Sequence, residues 1–550
     1  MRAAENPKSS LMVFPATVIA AACFCVIAPF LWLGIPSGHD FEFHFNSWLE
    51  VVQHWKEGIP YPHWASYAHY AYGEARFVFY PPISWMLGAL LGTVLPWKLV
   101  PAIYIWIVLT LCGCSMFLLA RQWFSRNMAL IAAVIYAANP YHLVIVYWRS
   151  AMAELLAAAL LPLLLLLLFR LRQDGARVVA PLNLVVAAGW LTNVPTAVMM
   201  NYSLAVLALW ISISHKSWKP LAHALLGAVL GGALACVYVV PVFHQQHWVS
   251  ISQVFAPGVR PVDNFLFTIT SDPDHNRFNR LVSEVASCEM VLLAVLLILS
   301  RRLRDQMLWR VLIIWAALCV TLMLHFTLPL WMHLPELKYV QLPWRWLLCL
   351  NVVFAMGVVM AFRRRWLCLL VLVLAISSVA WVWHRVLPPW WDNAGDVQEM
   401  VDNQEDWVGN EGTDEYVPAG VDPYDIDQNA PKARFVGTGT ARIRIEEWKT
   451  EKRAIVAETR SPGKLILRLF NYPLWMVRVN GREVHTETTP DTGQMIVPIS
   501  AGANRVQIIF VEGWDRTLGT AISAAGLIIV AFISLMSGRR KSRLHSISNS

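Results

Sequence analysis

Residues 155–169 contain no polar side chain, and a second long apolar run occupies 365–384. Runs of this kind bury themselves cheaply only in lipid. There every backbone N–H and C=O needs an internal partner, so the segments fold as helices. A membrane β-barrel is excluded, because its strands read as alternation and not as continuous apolar runs. A span takes about 20 residues, so about a dozen spans would use roughly 240 residues and leave chain for aqueous loops and one small domain. The sequence therefore predicts a mainly α, polytopic helical membrane protein.

Composition removes the main competitors. Of the 550 residues, 57% are hydrophobic and 15% charged. A soluble chain of this length carries roughly 25% charge, so a soluble enzyme and a disordered chain are both ruled out. The formal net charge is +8. The Lys and Arg residues gather in short loops and not on one groove-like face, so no nucleic-acid partner is implied. The nine Cys residues all lie in or beside apolar segments, which argues against a disulfide framework and a Cys-rich zinc site. Ala20-Ala21-Ala22-Cys23 looks like a lipoprotein cleavage site, but the apolar stretch continues through Leu33 and reads as an uncleaved signal anchor.

Charge then orients the spans. Arg2 and Lys8 precede the first one, at 11–33, and place the N-terminus in the cytoplasm. Residues 34–99 form a long first external loop. Its apolar stretch at 83–95 is too short to cross, is bracketed by Pro81-Pro82 and Pro96, and reads as an interfacial helix. The remaining spans are expected at 100–120, 128–146, 153–170, 178–192, 197–213, 220–241, 286–300, 309–326, 344–362, 366–385 and 515–537. The basic loops at 121–126, 169–177, 215–219, 301–304, 363–365 and 539–543 all become cytoplasmic. Both termini are then cytoplasmic, and 242–285, 327–343 and 386–514 are external.

Three regions follow: a transmembrane domain at 1–385, an external domain at 386–514, and a last helix with a basic tail at 515–550. The external domain opens with twelve acidic residues between Asp392 and Asp427 and no Lys or Arg, most simply a solvated face. Residues 433–512 alternate apolar and polar at 441–445, 464–469, 476–479 and 505–509. Pro462-Gly463 and Asn480-Gly481 serve as turns, so a small antiparallel β-sandwich is expected.

Reactive groups in a membrane enzyme belong where water reaches the bundle, at the external ends of the spans. The first loop opens His39-Asp40-Phe41-Glu42-Phe43-His44. Asp40 stands at the N-cap of a helix running to about Lys56, where it can accept backbone N–H bonds. Asp40 and His44 fall four apart on one face. They could hold a divalent metal ion, Mg or Mn, or form a carboxylate–imidazole base pair. Glu42 points elsewhere. The plain alternative is a capping Asp on an amphipathic interfacial helix with the stripe Phe41, Phe45, Trp48, Leu49 and Val52.

Arg149 and Glu154 follow the span at 128–146, and Arg345 sits at the mouth of another. An external Arg runs against the usual charge bias. Interface snorkelling explains one, while two beside carboxylates suit an anionic lipid headgroup. Thr192-Asn193 can line the same cavity. Asp272-Pro273-Asp274 reads as loop chemistry, and His39, His63, His69 and His142 as interfacial polar residues. The many Trp residues suit aromatic belts.

A first-loop carboxylate, a helix after Tyr80-Pro81-Pro82 and an Arg/Glu-bearing second loop resemble the GT-C superfamily of polytopic glycosyltransferases, which use polyprenyl-phosphate sugar donors. More closely, GHDFEFHFNSW (38–48), FVFYPPISW (77–85), the string at 138–168, LKYVQLPWRWL (337–347), EGTDEYVP (411–418) and NYPLWMVRVNGREV (471–484) resemble a bacterial family of membrane proteins labelled 6-pyruvoyl-tetrahydropterin synthase-related, together with YfhO-like proteins. The pterin chemistry of that label would need a soluble zinc site with three clustered His, which the sequence does not offer.

The GT-C resemblance implies Asp40 as base or metal ligand, with Glu42, His44 and Glu154 beside it in the catalytic set. Arg149 and Arg345 would hold the lipid phosphate, with His39, Tyr80 and Asn193 among the substrate-binding residues. Where the superfamily tends to a Thr-His-Asn-like string, this chain has Thr192-Asn193-Val194. The expected activity is transfer of a sugar from a polyprenyl-phosphate donor to a cell-envelope glycan or lipid acceptor, at the external face of the bacterial inner membrane. The alternatives are a non-catalytic transport or assembly protein for lipid-linked glycans, and a receptor in which the β-domain alone carries function.

Overall fold

The computed structural model describes residues 10–362, 364–385 and 390–548. Arg2, Lys8 and Arg363, used above for orientation, lie outside the described residues. Among the described residues, eight helices are long and apolar enough to cross a membrane, and ten if two bent pairs each count as one span. The expected spans at 11–33 and 366–385 fall on Ser10–Ile27 and Arg365–Arg385, helices of 18 and 21 residues.

The bends correct the expectation of straight spans. Lys219–Leu234 turns by 69° into the segment that begins at Cys236, and Met307–Leu322 turns by 86° into the one that begins at His325. Gly231-Gly232 and Pro241 flank the first break, and Pro329 follows the second. Proline withdraws a backbone donor and its ring crowds the carbonyl four residues back, which favours a break over a smooth helix. The helix Pro273–Leu299 also begins 13 residues before the expected span at 286. Asp272, taken above for loop chemistry, is its N-cap and accepts from the Asp274 and His275 amides at 2.9 and 3.3 Å.

The first loop folds as a layer against one end of the bundle. It carries the helix Phe41–Lys56 and the helix Pro82–Gly92, which at 11 residues is too short to span. The strand Ile35–Pro36 pairs antiparallel with Trp391–Asp392, joining this loop to the acidic segment. That segment includes the helix Ala394–Glu405, capped by Asn393 in a capping box with Asp396.

The acidic segment also wraps an unusual turn. His69, Tyr70 and Ala71 have φ of 49°, 53° and 66°, three consecutive left-handed residues. Such backbone costs about 1–2 kcal/mol per residue and persists only when surroundings hold it. Here Tyr70 N donates to Asn410 O at 3.0 Å, Phe470 N donates to Tyr72 O at 3.0 Å, and the His69 ring meets Glu74 at 2.9 Å. His69 is thus a buried partner of Glu74 and not an interfacial residue, and His142 is fully buried as well.

The β-domain is two antiparallel sheets. One has four strands, in the spatial order Ala433–Gly437, Gly463–Phe470, Gln494–Ile499 and Glu487–Thr488. The other has five, in the order Ala441–Trp448, Lys452–Thr459, Gly502–Phe510, Trp475–Val479 and Arg482–Glu483. All four alternating stretches read from the sequence lie in strands. Asn480 and Gly481, with φ of 51° and 80°, make the two-residue turn that a twisted hairpin requires. The apolar core of this domain is continuous with Trp64, Tyr72, Ala75, Val78 and Phe79 of the first loop. The two are therefore packed together and not merely tethered.

Candidate active site at the mouth of the bundle

Arg149 owes its position to a local irregularity. The span Arg126–Arg149 is interrupted at Asn139, whose side chain accepts from the Tyr141 amide at 2.8 Å and starts a new helical segment at Pro140. It ends in a π-helical turn over Ile145–Arg149, followed by Ser150 in the left-handed region at φ 51°. Widened turns re-aim side chains and recur at functional sites. Here the turn buries the Arg149 guanidinium beneath the first loop.

That loop is stitched to the same turn. Asp40 N donates to Arg149 O at 2.9 Å, and Gly38 N donates to Ser150 Oγ at 3.1 Å. Ser150 Oγ in turn donates to Pro36 O at 2.9 Å. Gly38 is required by the closeness of this contact: a Cβ there would fall 2.5 Å from Arg149 C and 2.6 Å from Ser150 N. Gly38→Ala is expected to push the Asp40 segment off the Arg149 turn. Overpacking of this kind costs about 1–3 kcal/mol, readable as a lower midpoint of thermal unfolding.

Glu154 is the buried centre of the site, 1% exposed. Its Oε2 accepts from Arg149 Nη1 at 2.6 Å and from Arg345 Nε at 3.0 Å, and its Oε1 accepts from Tyr141 Oη at 2.6 Å. Arg345 Nη1 donates to Val340 O at 2.8 Å and to Gln341 Oε1 at 3.2 Å. The Arg149 guanidinium lies 4.9 Å from the centroid of the Trp344 ring. One carboxylate between two arginines leaves a positive charge in excess. It faces the Asp40 carboxylate, which is 3.9 Å from Arg149 Nη2 and has 39% of its side chain exposed.

Asp40 is the N-cap residue of Phe41–Lys56, yet its side chain takes no capping hydrogen bond. The expected capping role is therefore not exercised. The carboxylate turns towards Arg149 instead and stays partly exposed. His44 lies one turn on but is 1% exposed, with both ring nitrogens lacking a hydrogen-bond partner and its ring against Phe43 and Tyr80. Burial pushes its pKa down to about 4. The Asp40–His44 base pair anticipated from spacing is accordingly not formed: neither ring nitrogen bonds to the Asp40 carboxylate, and the imidazole is packed against Phe43 and Tyr80.

For a divalent ion the ligand set is incomplete. Among the described residues no group of three or more His, Cys, Asp or Glu side chains could hold a metal. The His44 nitrogens are enclosed, and neither has a hydrogen-bond partner.

The other expected residues divide. The His39 ring lies tilted against Phe278 with centroids 5.3 Å apart, and loss of hydration there pushes its pKa down against the pull of Asp40. The Tyr80 phenol is pushed up, chiefly by burial and then by Asp40, so it faces the site as a neutral hydroxyl. Glu42 is exposed and looks towards Asp392 and Glu411, and desolvation followed by those two charges raises its pKa. Asn193 is committed to capping Val194–Ser214, accepting from Thr196 N at 3.0 Å and Thr196 Oγ1 at 2.8 Å. Tyr141, Trp344 and Gln341 were not anticipated. Asn139-Pro140 directly before Tyr141 is a helix-start signal inside an apolar run, and was the available clue to a polar break.

Compared with known proteins, the chain shows 17% identity to the arabinofuranosyltransferase AftD from Mycobacteria, with a TM-score of 0.37 over 70% of this chain and 27% of that one. It shows 14% identity to the Archaeoglobus fulgidus oligosaccharyltransferase, with a TM-score of 0.34 over 74% of this chain and 57% of that one. The chain thus spans about a quarter of the first protein and a little over half of the second. No curated protein matches it in sequence. Residues 77–386, more than half of the chain, match the model of the 6-pyruvoyl-tetrahydropterin synthase related domain, a membrane protein. That stretch carries Tyr80, Arg149, Glu154 and Arg345, and the chain belongs to this 6-pyruvoyl-tetrahydropterin synthase-related family of membrane proteins.

Proposed function

We propose that the protein is a membrane glycosyltransferase that takes a sugar from a polyprenyl-phosphate donor at the external face of a bacterial inner membrane and passes it to a cell-envelope glycan or lipid. The observation that carries this reading is the meeting of three separate segments. An uncapped, half-open Asp40 carboxylate stands 3.9 Å from Arg149, and Arg149 and Arg345 share one buried carboxylate. A base beside an anion clamp is what glycosyl transfer from a phosphate needs.

The step balances with these groups. Asp40 takes the proton of the acceptor hydroxyl as its oxygen attacks the anomeric carbon. The bond from that carbon to the phosphate oxygen breaks, and the electron pair leaves with the polyprenyl phosphate. The guanidinium donors not engaged by Glu154 stabilise the charge that develops on the phosphate. One displacement inverts the anomeric configuration. No step is routed through a metal ion.

The test is direct. Purified protein in nanodiscs is incubated with a panel of radiolabelled polyprenyl-phosphate sugars, with and without Mg or Mn. Release or transfer of sugar supports the reading; donor binding without turnover across the panel removes it. A second reading, a non-catalytic carrier or assembly protein for lipid-linked glycans, draws on the two spans bent by 69° and 86°, since broken helices suit transport. It predicts dependence on Arg149 and Arg345 with indifference to Asp40.

A further inference from the structure

The helix that presents Asp40 at one end is gripped by the β-domain at the other. The tip of the hairpin joining Ala441–Trp448 to Lys452–Thr459 is not a solvent turn, because Thr450 is fully buried and Glu451 nearly so. Thr450 donates from N and Oγ1 to Glu57 Oε2 at 3.0 and 2.6 Å, and Ser66 Oγ donates to Thr450 O. Glu451 Oε1 accepts from His63 N at 2.7 Å and lies 3.5 Å from His54 Nε2 and 3.4 Å from His63 Nδ1. Arg453 backs the socket, buried over Trp475 at 4.6 Å and donating to Ser66 Oγ at 3.2 Å.

His54 and Glu57 are at the C-terminal end of Phe41–Lys56, a 16-residue rod of roughly 24 Å whose N-cap is Asp40. The domain that reads as an accessory thus holds the far end of the helix on which the site is mounted. We propose that the β-domain is a positioning element for the reaction. Its Lys449–Glu451 tip, locked onto His54, Glu57 and His63, fixes the helix Phe41–Lys56 and so sets where Asp40 stands against Arg149. Only the chemical role of Asp40 rests on the function proposed above; the grip stands on its own contacts.

The ring of His54 makes this grip sensitive to pH. Its Nδ1 faces the Glu50 carbonyl at 2.8 Å, an acceptor, and its Nε2 faces a carboxylate, so both nitrogens are best used as donors in the imidazolium. Two charged groups act on it directly, Glu451 from the β-domain and Glu50 from its own helix; His63 and Arg453 act on Glu451, and Glu57 holds Thr450 of the same tip. Burial lowers its pKa most of any single cause, but Glu451 and Glu50 together outweigh burial and hold it above the ordinary 6.5. Burial would raise Glu451, but the two imidazoles hold it well below the ordinary 4.5.

A raised histidine contributes fully below its unfolded value and is lost as pH rises through its docked one. A depressed carboxylate contributes above its unfolded value and is lost only in strong acid. The His54–Glu451 pair is therefore tightest between about 4.5 and 6.5, and Glu50, pushed by burial up to about 7, adds to the loosening as pH rises through that range and beyond.

Hydrogen exchange on the full chain in nanodiscs, corrected for intrinsic rates, reads the grip without reference to activity. In the wild type, amides over Asp40–Ser47 are expected to lose protection about tenfold between pH 5.5 and pH 8.5, the scale of one hydrogen bond to a charged group. Glu451→Gln should show the loosened rates at both pH values. His54→Gln, which keeps a donor at neutral charge, should abolish the pH response and serves if Glu451→Gln does not fold. Wild-type protection over Asp40–Ser47 in Glu451→Gln, or a persisting pH response in His54→Gln, overturns the proposal. Where transfer is measurable, Glu451→Gln should lower kcat with donor KM unchanged. A wild type that responds in exchange but transfers no sugar removes the functional reading and leaves the grip.

Discussion

Asp40→Asn is expected to abolish sugar transfer while the protein inserts, folds and binds donor as before. The size of the loss follows from the role. Removing a general base typically costs 10²–10⁴-fold, and an amide of the same shape has no proton affinity to replace it. Intact folding follows from the geometry. The carboxylate makes no capping hydrogen bond, so the usual cost of about 1 kcal/mol for losing a cap does not arise. Its charged partner Arg149 Nη2 is 3.9 Å away, and the Asp40 side chain is 39% exposed, where ion pairs are worth about 0–1 kcal/mol. Arg149 keeps its hydrogen bond to Glu154, so the anion clamp survives and donor KM should hardly move. The measurement is kcat and KM on the nanodisc protein, with the unfolding midpoint alongside. Near-wild-type kcat in Asp40→Asn would remove the base and turn the site into a carrier's headgroup clamp.

How much of this could be read from the chain alone depended on the range of the physics involved. Apolar runs are written residue by residue, so most of the spans and their order were legible, although eight to ten helices and not twelve are long and apolar enough among the described residues; the alternation of the β-domain was legible down to the turn at Asn480-Gly481. The breaks at Ala235 and Leu324 were not, because hydropathy averaged over a span is blind to whether the backbone inside it is continuous. Arg149 and Arg345 stood out as cations against the orientation that the charge bias of the loops implies. Their meeting on Glu154 is a tertiary fact that nothing in the spacing encodes. Tyr141 and Trp344 were hidden for the opposite reason: Tyr and Trp crowd the ends of spans generally, so two with a specific task carry no distinguishing mark. For Asp40 the position at the head of a helix was legible, but the direction of its side chain was not. His69 was misread for want of its partner, since Glu74 lies across a left-handed turn.

Glu154→Gln is expected to be the most destabilising single change at the site. The carboxylate is 1% exposed and receives three hydrogen bonds, two of them from arginines. The amide keeps the volume but removes the charge, leaving two guanidinium groups close together with the half-exposed Asp40 carboxylate as the nearby anion. It also turns an acceptor of N–H bonds into a group that is itself half donor. Breaking a buried pair by removing one partner costs about 3–5 kcal/mol, because the remaining charge is desolvated and uncompensated. Tyr141→Phe, which deletes one hydrogen bond to the same carboxylate and no charge, should cost only about 1.5–3 kcal/mol.

The double variant Glu154→Gln with Arg345→Gln separates charge from packing. If repulsion between the arginines dominates, removing one of them should recover part of the loss, so the unfolding midpoint of the double variant lies above that of Glu154→Gln alone. If the two losses simply add, the arginines do not feel each other through Glu154, and the picture of one carboxylate holding both at the mouth is wrong.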